Sequence, residues 1–224
     1  MPVTFITGID TESGKTMATG LMARSLYKNN KSIITQKLAQ TGCENISEDI
    51  ITHRKIMGIN LTEEDNKGLT CPYLFKYPAS PHLSAKLENK KIDTDIITNA
   101  TESLLKKYDI ILLEGAGGLY VPLNDELTIL DYIEVHNYPI IIVSSSKLGS
   151  INHTLLSLDA IKNRDLDVRG IIYNHFPKQD NVLVQDTREV FEKYLSQYWF
   201  NAFIIDIPIF NLNSIPDIDF SRLF

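Results

Sequence analysis

Short β-branched runs recur along the chain: 3-VTFIT-7, 33-IITQK-37, 109-DIILLE-114, 139-PIIIVSS-145, 169-RGIIYN-174 and 203-FIIDIP-208. Most are nearly continuous in apolar residues rather than alternating, which is how strands covered on both faces read. Between several of them lie segments with helical spacing: 16-TMATGLMARSLYKN-29, 150-SINHTLLSLDAIKN-163 and 181-NVLVQDTREVFEKYLSQYW-199. In the last, Val182, Val190, Phe191 and Leu195 are placed to share one apolar stripe, with Glu and Lys on the other side. The region 58–108 is less regular, interrupted by Gly58, Gly68, Pro72, Pro78 and Pro81, and short helices are predicted around 81-PHLSAKLE-88 and 93-DTDIITNATESLLKK-107. Residues 211–224 read as an irregular tail and not as an amphipathic membrane anchor. Buried strands alternating with helices predict a mostly parallel β-sheet flanked by helices on both faces, a single α/β domain over residues 1–224.

Composition changes this picture little. The chain has 224 residues, 43% of them hydrophobic and 22% charged, which is ordinary for a globular domain. A formal net charge of −6 argues against a general nucleic-acid surface, which needs clustered Lys and Arg. The longest apolar runs, such as 139-PIIIV-143, are too short to span a bilayer, and the strand-like run from Val3 leaves no visible leader. Cys43 and Cys71 match no metal spacing or redox pair, so two reduced thiols and a cytoplasmic location are expected.

The chemistry starts at 7-TGIDTESGKT-16. A phosphate-binding loop (P-loop) works through its backbone, whose successive N–H groups point at the phosphates ahead of a helix N-terminus. The side chains that matter are a lysine on the terminal phosphates and a following Ser or Thr on Mg²⁺. Gly14, Lys15 and Thr16 supply these after a strand and at a helix start, whereas the pattern's first glycine is replaced by Ile9, with Gly8 one place early. Gly8 can serve as the sharp exit from the strand, and Asp10 and Glu12 can point outward while the N–H groups point in. Such a loop also needs an acid at the end of a neighbouring buried strand. Glu114 in 109-DIILLEGAGG-118 meets that need, so a P-loop NTPase-like site for a Mg²⁺–nucleoside triphosphate is predicted.

Four segments together resemble the dethiobiotin synthetase family: 8-GIDTESGKT-16, 37-KLAQTG-42, 112-LLEGAGGLYVPL-123 and 147-KLGSINHTLL-156. The resemblance extends from residue 8 to about 176. It departs at Leu38, where the family often has proline, and at Ile205, where it often has glycine. It implies ATP-dependent carboxylation of 7,8-diaminononanoate with CO₂ and closure of a ureido ring. By that resemblance Lys15 bridges the phosphates, Lys37 neutralises a carbamate, and Thr11 and Thr41 orient carbamate and substrate. Thr16, Asp49 and Glu114 would hold Mg²⁺, with Glu48 as the rival of Asp49. Glu12, Ser13, Met17, Gly115, Ala116, Gly117, Asn174, His175, Asp206, Ile207 and Pro208 complete the implied nucleotide site. Gly149, Ser150, Ile151 and Asn152 would bind the distal carboxylate of the substrate from a neighbouring subunit, implying a homodimer.

His53, His82, His153 and His175 also read as ordinary helix-start or turn residues, because no spacing links them as metal ligands. The competing class is a nucleotide-gated ATPase switch of the partition or septum-placement type. Its signature lysine would fall at Asp10, and the acidic tail offers neither a membrane helix nor a basic DNA surface.

Overall fold

The computed structural model describes residues 2–224. The elements run β1 (Val3–Gly8), α1 (Lys15–Lys28), β2 (Ile33–Lys37), β3 (Gln40–Thr41), α2 (Glu48–Met57), α3 (Glu63–Asn66) and β4 (Leu74–Phe75). They continue as α4 (Pro81–Leu87), α5 (Thr94–Leu105), β5 (Ile110–Glu114), α6 (Ile129–His136), β6 (Ile140–Ser145), α7 (Ser150–Lys162), β7 (Val168–Asn174), α8 (Asn181–Tyr198) and β8 (Phe203–Ile207). Six strands form one parallel sheet in the order β2-β5-β1-β6-β7-β8, and β3 pairs with β4 in a separate small ladder. Ligands in open parallel sheets lie beyond the carboxyl ends of the strands, where the strand order reverses. Here that place is the end of β1, between β5 and β6.

Each central strand feeds two cores because side chains alternate faces. Val3, Phe5, Ile111, Leu113, Ile140 and Ile142 face a core shared with α5, α6, α7 and α8. Ile6, Leu112, Ile141 and Val143 face the opposite core, shared with α1 and α2. Fully burying each such side chain stabilises the fold by about 1.5–3 kcal/mol, so the apolar runs are the main cohesive term.

Two details differ from the sequence reading. Val182 is 75% exposed, and the buried stripe of α8 is carried by Phe191 and Leu195 with Val184 and Tyr194 beside them. The tail is irregular but packed. Phe220 and Leu223 are buried in the core under α1, and Lys28 pairs with Asp217 at 2.8 Å. Among the described residues no helix is long and apolar enough to cross a membrane.

Helix α2, absent from the predicted elements, is fastened by a buried ion pair. Arg54 is 2% exposed and grips Asp65 with two bonds, Nε to Oδ2 at 2.9 Å and Nη2 to Oδ1 at 2.8 Å. Its Nη1 also donates to Thr35 Oγ1 on β2, and Thr70 donates to Asp65 Oδ1. Burial raises the Asp65 carboxyl, but Arg54 outweighs it and holds the group below its ordinary range. Asp65→Ala is expected to cost about 3–5 kcal/mol at neutral pH, since a guanidinium is left buried without its partner. Chemical denaturation of both proteins across pH checks this. A depressed carboxyl contributes above its unfolded value and loses that contribution as pH falls through its folded value, so the difference should shrink in acid.

Candidate functional site

The loop from Gly8 to Thr16 joins the end of β1 to the start of α1. Two glycines permit its path. A side chain at Gly8 would strike Ser13 Oγ and come within 2.7 Å of Lys15 Nζ, so the strand exit has room only for hydrogen. Gly14 adopts φ 94°, and a side chain there would run into Asn174. The N-terminus of α1 is capped by no side chain, which leaves its backbone N–H groups free for an anion. Asp10, Thr11 and Glu12 are exposed, as expected for carboxylates that turn away from the phosphates.

Lys15 folds back over this loop and donates to Asp10 O at 2.8 Å, with Thr11 O at 3.5 Å. Burial, and then the nearby positive charge of Lys37, pulls its ammonium down to about 8. Two buried cations therefore converge at the ends of β1 and β2.

Lys37 meets Glu114 because they are register partners on neighbouring parallel strands, so both side chains leave the same face of the sheet. Lys37 Nζ lies 2.7 Å from Glu114 Oε1, 2.5 Å from Asp49 Oδ2 and 3.0 Å from Gly115 O. Burial opposes the Lys37 charge, yet Glu114 and Asp49 outweigh that cost and hold the ammonium above its ordinary value. Burial likewise raises Glu114, but Lys37 and His53 keep it well below the usual carboxylate range. Thr16 Oγ1 donates to Asp49 Oδ1 at 3.0 Å and lies 3.4 Å from Glu114 Oε1. Glu48 is exposed, so of the two candidate acids only Asp49 joins this cluster. A hydroxyl and two carboxylates are hard oxygen donors suited to Mg²⁺, which takes its remaining ligands from phosphate and water. Among the described residues no group of three or more His, Cys, Asp or Glu is placed to hold a metal ion.

A cavity of about 380 Å³ opens beside the loop, lined by Glu12, Gly14, Lys15, Thr16, Met17, Asn174, Phe176, Pro208, Ile209 and Phe210 among others. Its apolar end can take the flat face of a base. Several residues of the implied nucleotide site stand elsewhere. Asn174 lines the cavity, but its Nδ2 donates to Ser13 O at 3.1 Å and braces the loop. Asp206 is held by His175 Nε2 at 2.8 Å and Arg188 Nε at 2.9 Å, so both its oxygens are engaged. Neither Asp206 nor His175 lines the cavity, and Ile207 is buried in the core. Ser13 is also buried, with its hydroxyl on Asp10 O. Gly115 anchors Lys37, and Gly117 lines a different cavity.

That second cavity, about 740 Å³, lies against Asp10, Thr11, Gly117–Pro122, His82, α7 from His153 to Ala160, and Asn163 just past its end. Thr11 borders both cavities. Thr41 sits in β3 and lines neither. Gly149, Ile151 and Asn152 also lie outside this lining, while the Ser150 hydroxyl is buried against Ser145 at 3.0 Å. Gly149 starts α7 at φ 94° with no side-chain cap, beside Leu148 at 86% exposure.

The sequence reading missed His53. It is neither a helix-start nor a turn residue: it lies inside α2, fully buried, with Nε2 3.0 Å from Glu114 Oε2. Asp49 and His53 are four residues apart, the helical spacing that puts two side chains on one face, and this was the available signal.

Gly8→Ala is expected to displace Lys15 from the loop. An overpacked contact of this kind costs about 1–3 kcal/mol, so nucleotide affinity should fall about 5- to 150-fold where that cost is felt on binding. Titration calorimetry with ATP would check it, and unchanged affinity would show that the loop accommodates a methyl group.

The AAA domain family matches residues 3–201. The ATP-dependent dethiobiotin synthetase BioD 2 of Pasteurella multocida is 56% identical over 196 residues, covering 88% of this chain and 92% of that protein. The BioD protein of Chlorobaculum tepidum, also an ATP-dependent dethiobiotin synthetase, is 51% identical over 212 residues, covering 94% and 89%. Among solved structures, a ParA family ATPase from Chlorobium tepidum superposes with a TM-score of 0.55 over 99% of this chain and 95% of that one. At 15% identity this likeness establishes the P-loop fold alone. With its phosphate loop, paired buried lysines and extended identity to such relatives, the chain belongs to the ATP-dependent dethiobiotin synthetase family.

Proposed function

We propose that the whole chain acts as one catalytic domain and performs its family's reaction, ATP-dependent carboxylation and cyclisation of 7,8-diaminononanoate to dethiobiotin. The observation that carries this reading is the second buried cation. Lys37, 5% exposed, stands near Lys15 but comes from the end of β2 and not from the loop or α1, a provision that a loop built only to hydrolyse ATP does not need.

The chemistry begins with one substrate amine adding to CO₂ and losing a proton, which gives a carbamate. A carbamate oxygen then attacks the γ-phosphorus of ATP as the bond to ADP breaks, giving a carbamic–phosphoric anhydride. The second amine attacks the anhydride carbon, the C–O bond to phosphate breaks, and phosphate leaves with that electron pair while the nitrogen gives up its proton. Dethiobiotin, ADP and phosphate result.

The protein's part is placement and charge. Lys15 and the free N–H groups of α1 hold the polyphosphate. Lys37 would offset the negative charge of the carbamate and the charge that develops as the phosphoryl group moves. Thr11, which borders both cavities, would orient the carbamate between them. Thr16, Asp49 and Glu114 would hold Mg²⁺, which when bound neutralises phosphate charge. Asn174 fixes the loop beside a largely apolar base pocket. The start of α7 at Gly149–Asn152, which no side chain caps, would take the distal carboxylate of a substrate bound to a second copy, making the working unit a homodimer. The exposure of Gly149 and Asn152, and their place outside the cavity of their own chain, support that assignment, although Ser150 itself is buried.

The test is phosphate release from Mg²⁺–ATP and bicarbonate, with and without 7,8-diaminononanoate, and with mass spectrometry of the product. Release that depends on the diamine, with dethiobiotin formed, is expected. Slow release indifferent to the diamine would overturn the reading in favour of an ATPase switch. Lys37→Ala should leave ATP binding nearly intact and lower ring closure by about 10²–10³-fold, and unchanged turnover would remove Lys37 from its role.

A further inference from the structure

We propose that His53 is a positioning residue, whose Nε2–H locks one oxygen of Glu114 so that the other is presented to Lys37, Thr16 and the metal. The proposal rests on the reading of Glu114 as a Mg²⁺ ligand.

Hydrogen-bond accounting assigns the direction of the bond to Glu114. Glu114 is ionised and can only accept, so the proton between it and His53 sits on Nε2, 3.0 Å from Oε2. On the other side of the ring, Nδ1 lies 3.0 Å from Thr35 Oγ1. Arg54 Nη1, which can only donate, already donates to that same oxygen at 2.8 Å. The Thr35 hydroxyl proton is therefore free to point at Nδ1, and the ring is held at both ends. The chain of bonds runs Arg54 to Thr35 to His53 to Glu114, and it ends at a carboxylate whose remaining oxygen lies 2.7 Å from Lys37 Nζ and 3.4 Å from Thr16 Oγ1.

This matters because Glu114 is wholly buried at a strand end, and a carboxylate there could rotate and offer either oxygen. Neither oxygen sees water, so each must be satisfied by protein or ligand. With Oε2 engaged, rotation breaks a buried bond, and Oε1 stays aimed at the reacting side. The same helix face carries Asp49 four residues earlier, so α2 delivers one candidate ligand directly and orients the other at a distance. Partners of this kind, behind the atoms that touch a metal, commonly govern affinity by about 10–100-fold.

The test compares His53→Gln, whose amide nitrogen reaches the place of Nε2, with His53→Asn, whose amide reaches only the place of Nδ1. Mn²⁺ binding in the presence of ADP is read by electron paramagnetic resonance, alongside metal-free ADP affinity and thermal melting. His53→Asn should raise the Mn²⁺ dissociation constant about 10–100-fold while metal-free ADP binding holds, and His53→Gln should restore most of it. Unchanged Mn²⁺ affinity in a folded Asn variant, or equal losses in Gln and Asn, would overturn the proposal. The wild-type protein offers a readout that needs no variant: the ¹⁵N spectrum of the His53 ring should show the proton on Nε2. A bare Nε2 would also overturn it. Glu114→Gln separates the two levels. If it leaves Mn²⁺ affinity intact, the metal assignment itself fails. If it weakens binding while His53→Asn does not, only the positioning role fails.

Discussion

A buried carboxylate governs the site. Glu114 ends the strand next to β1 and is removed entirely from water, a costly place for an anion unless every lone pair has a partner. Lys37 from β2, His53 from α2 and the hydroxyl of Thr16 from α1 surround it. Three elements from the first 57 residues are thus tied to a single charge on a strand more than fifty residues later. The requirement to satisfy Glu114 dictates where α2 must pack, and α2 in turn carries Asp49 to the same place.

The arrangement explains why the two lysines differ although both are buried. Lys37 has two carboxylates within hydrogen-bonding reach and keeps its charge firmly. Lys15 leans on backbone carbonyls, feels burial and the charge of Lys37, and holds its proton less tightly. A polyphosphate arriving at the loop supplies the negative charge that Lys15 lacks. The loop is thus made to want an anion, whereas the cluster around Glu114 already balances much of its own charge.

The elements farthest from the site show how strongly the sheet dominates. Its strands were legible because β-branched apolar runs covered on both faces have few other folds open to them. Helices α1, α7 and α8 were legible from their spacing between strands. Helix α2 was not, although its ends carry ordinary signals: Ser47 accepts from Ile50 N at the start, and Gly58 closes it at φ 75°. Its face toward the sheet holds His53 and Arg54 beside apolar residues, so a hydrophobic pattern underweights it. Helix α6 was passed over too, despite the Thr128–Asp131 capping box that starts it.

The phosphate loop, its lysine, Thr16 and the strand-end Glu114 were determined by the sequence itself, because they follow from local order: a strand, a tight turn and a helix start. The pairing of Lys37 with Glu114 needed the register of β2 on β5, which places residues far apart in sequence on one face. The choice of Asp49 over Glu48 needed the rotation of α2, which turns one side chain in and its neighbour out. Asp206 and His175 belong to the nucleotide site that the resemblance implies, and only the packed fold shows Arg188 from α8 completing a network that engages both oxygens of Asp206. Position along a strand is written locally. What a charged group finally faces is decided only when the elements pack, since a buried charge takes whichever partner the tertiary fold brings within reach.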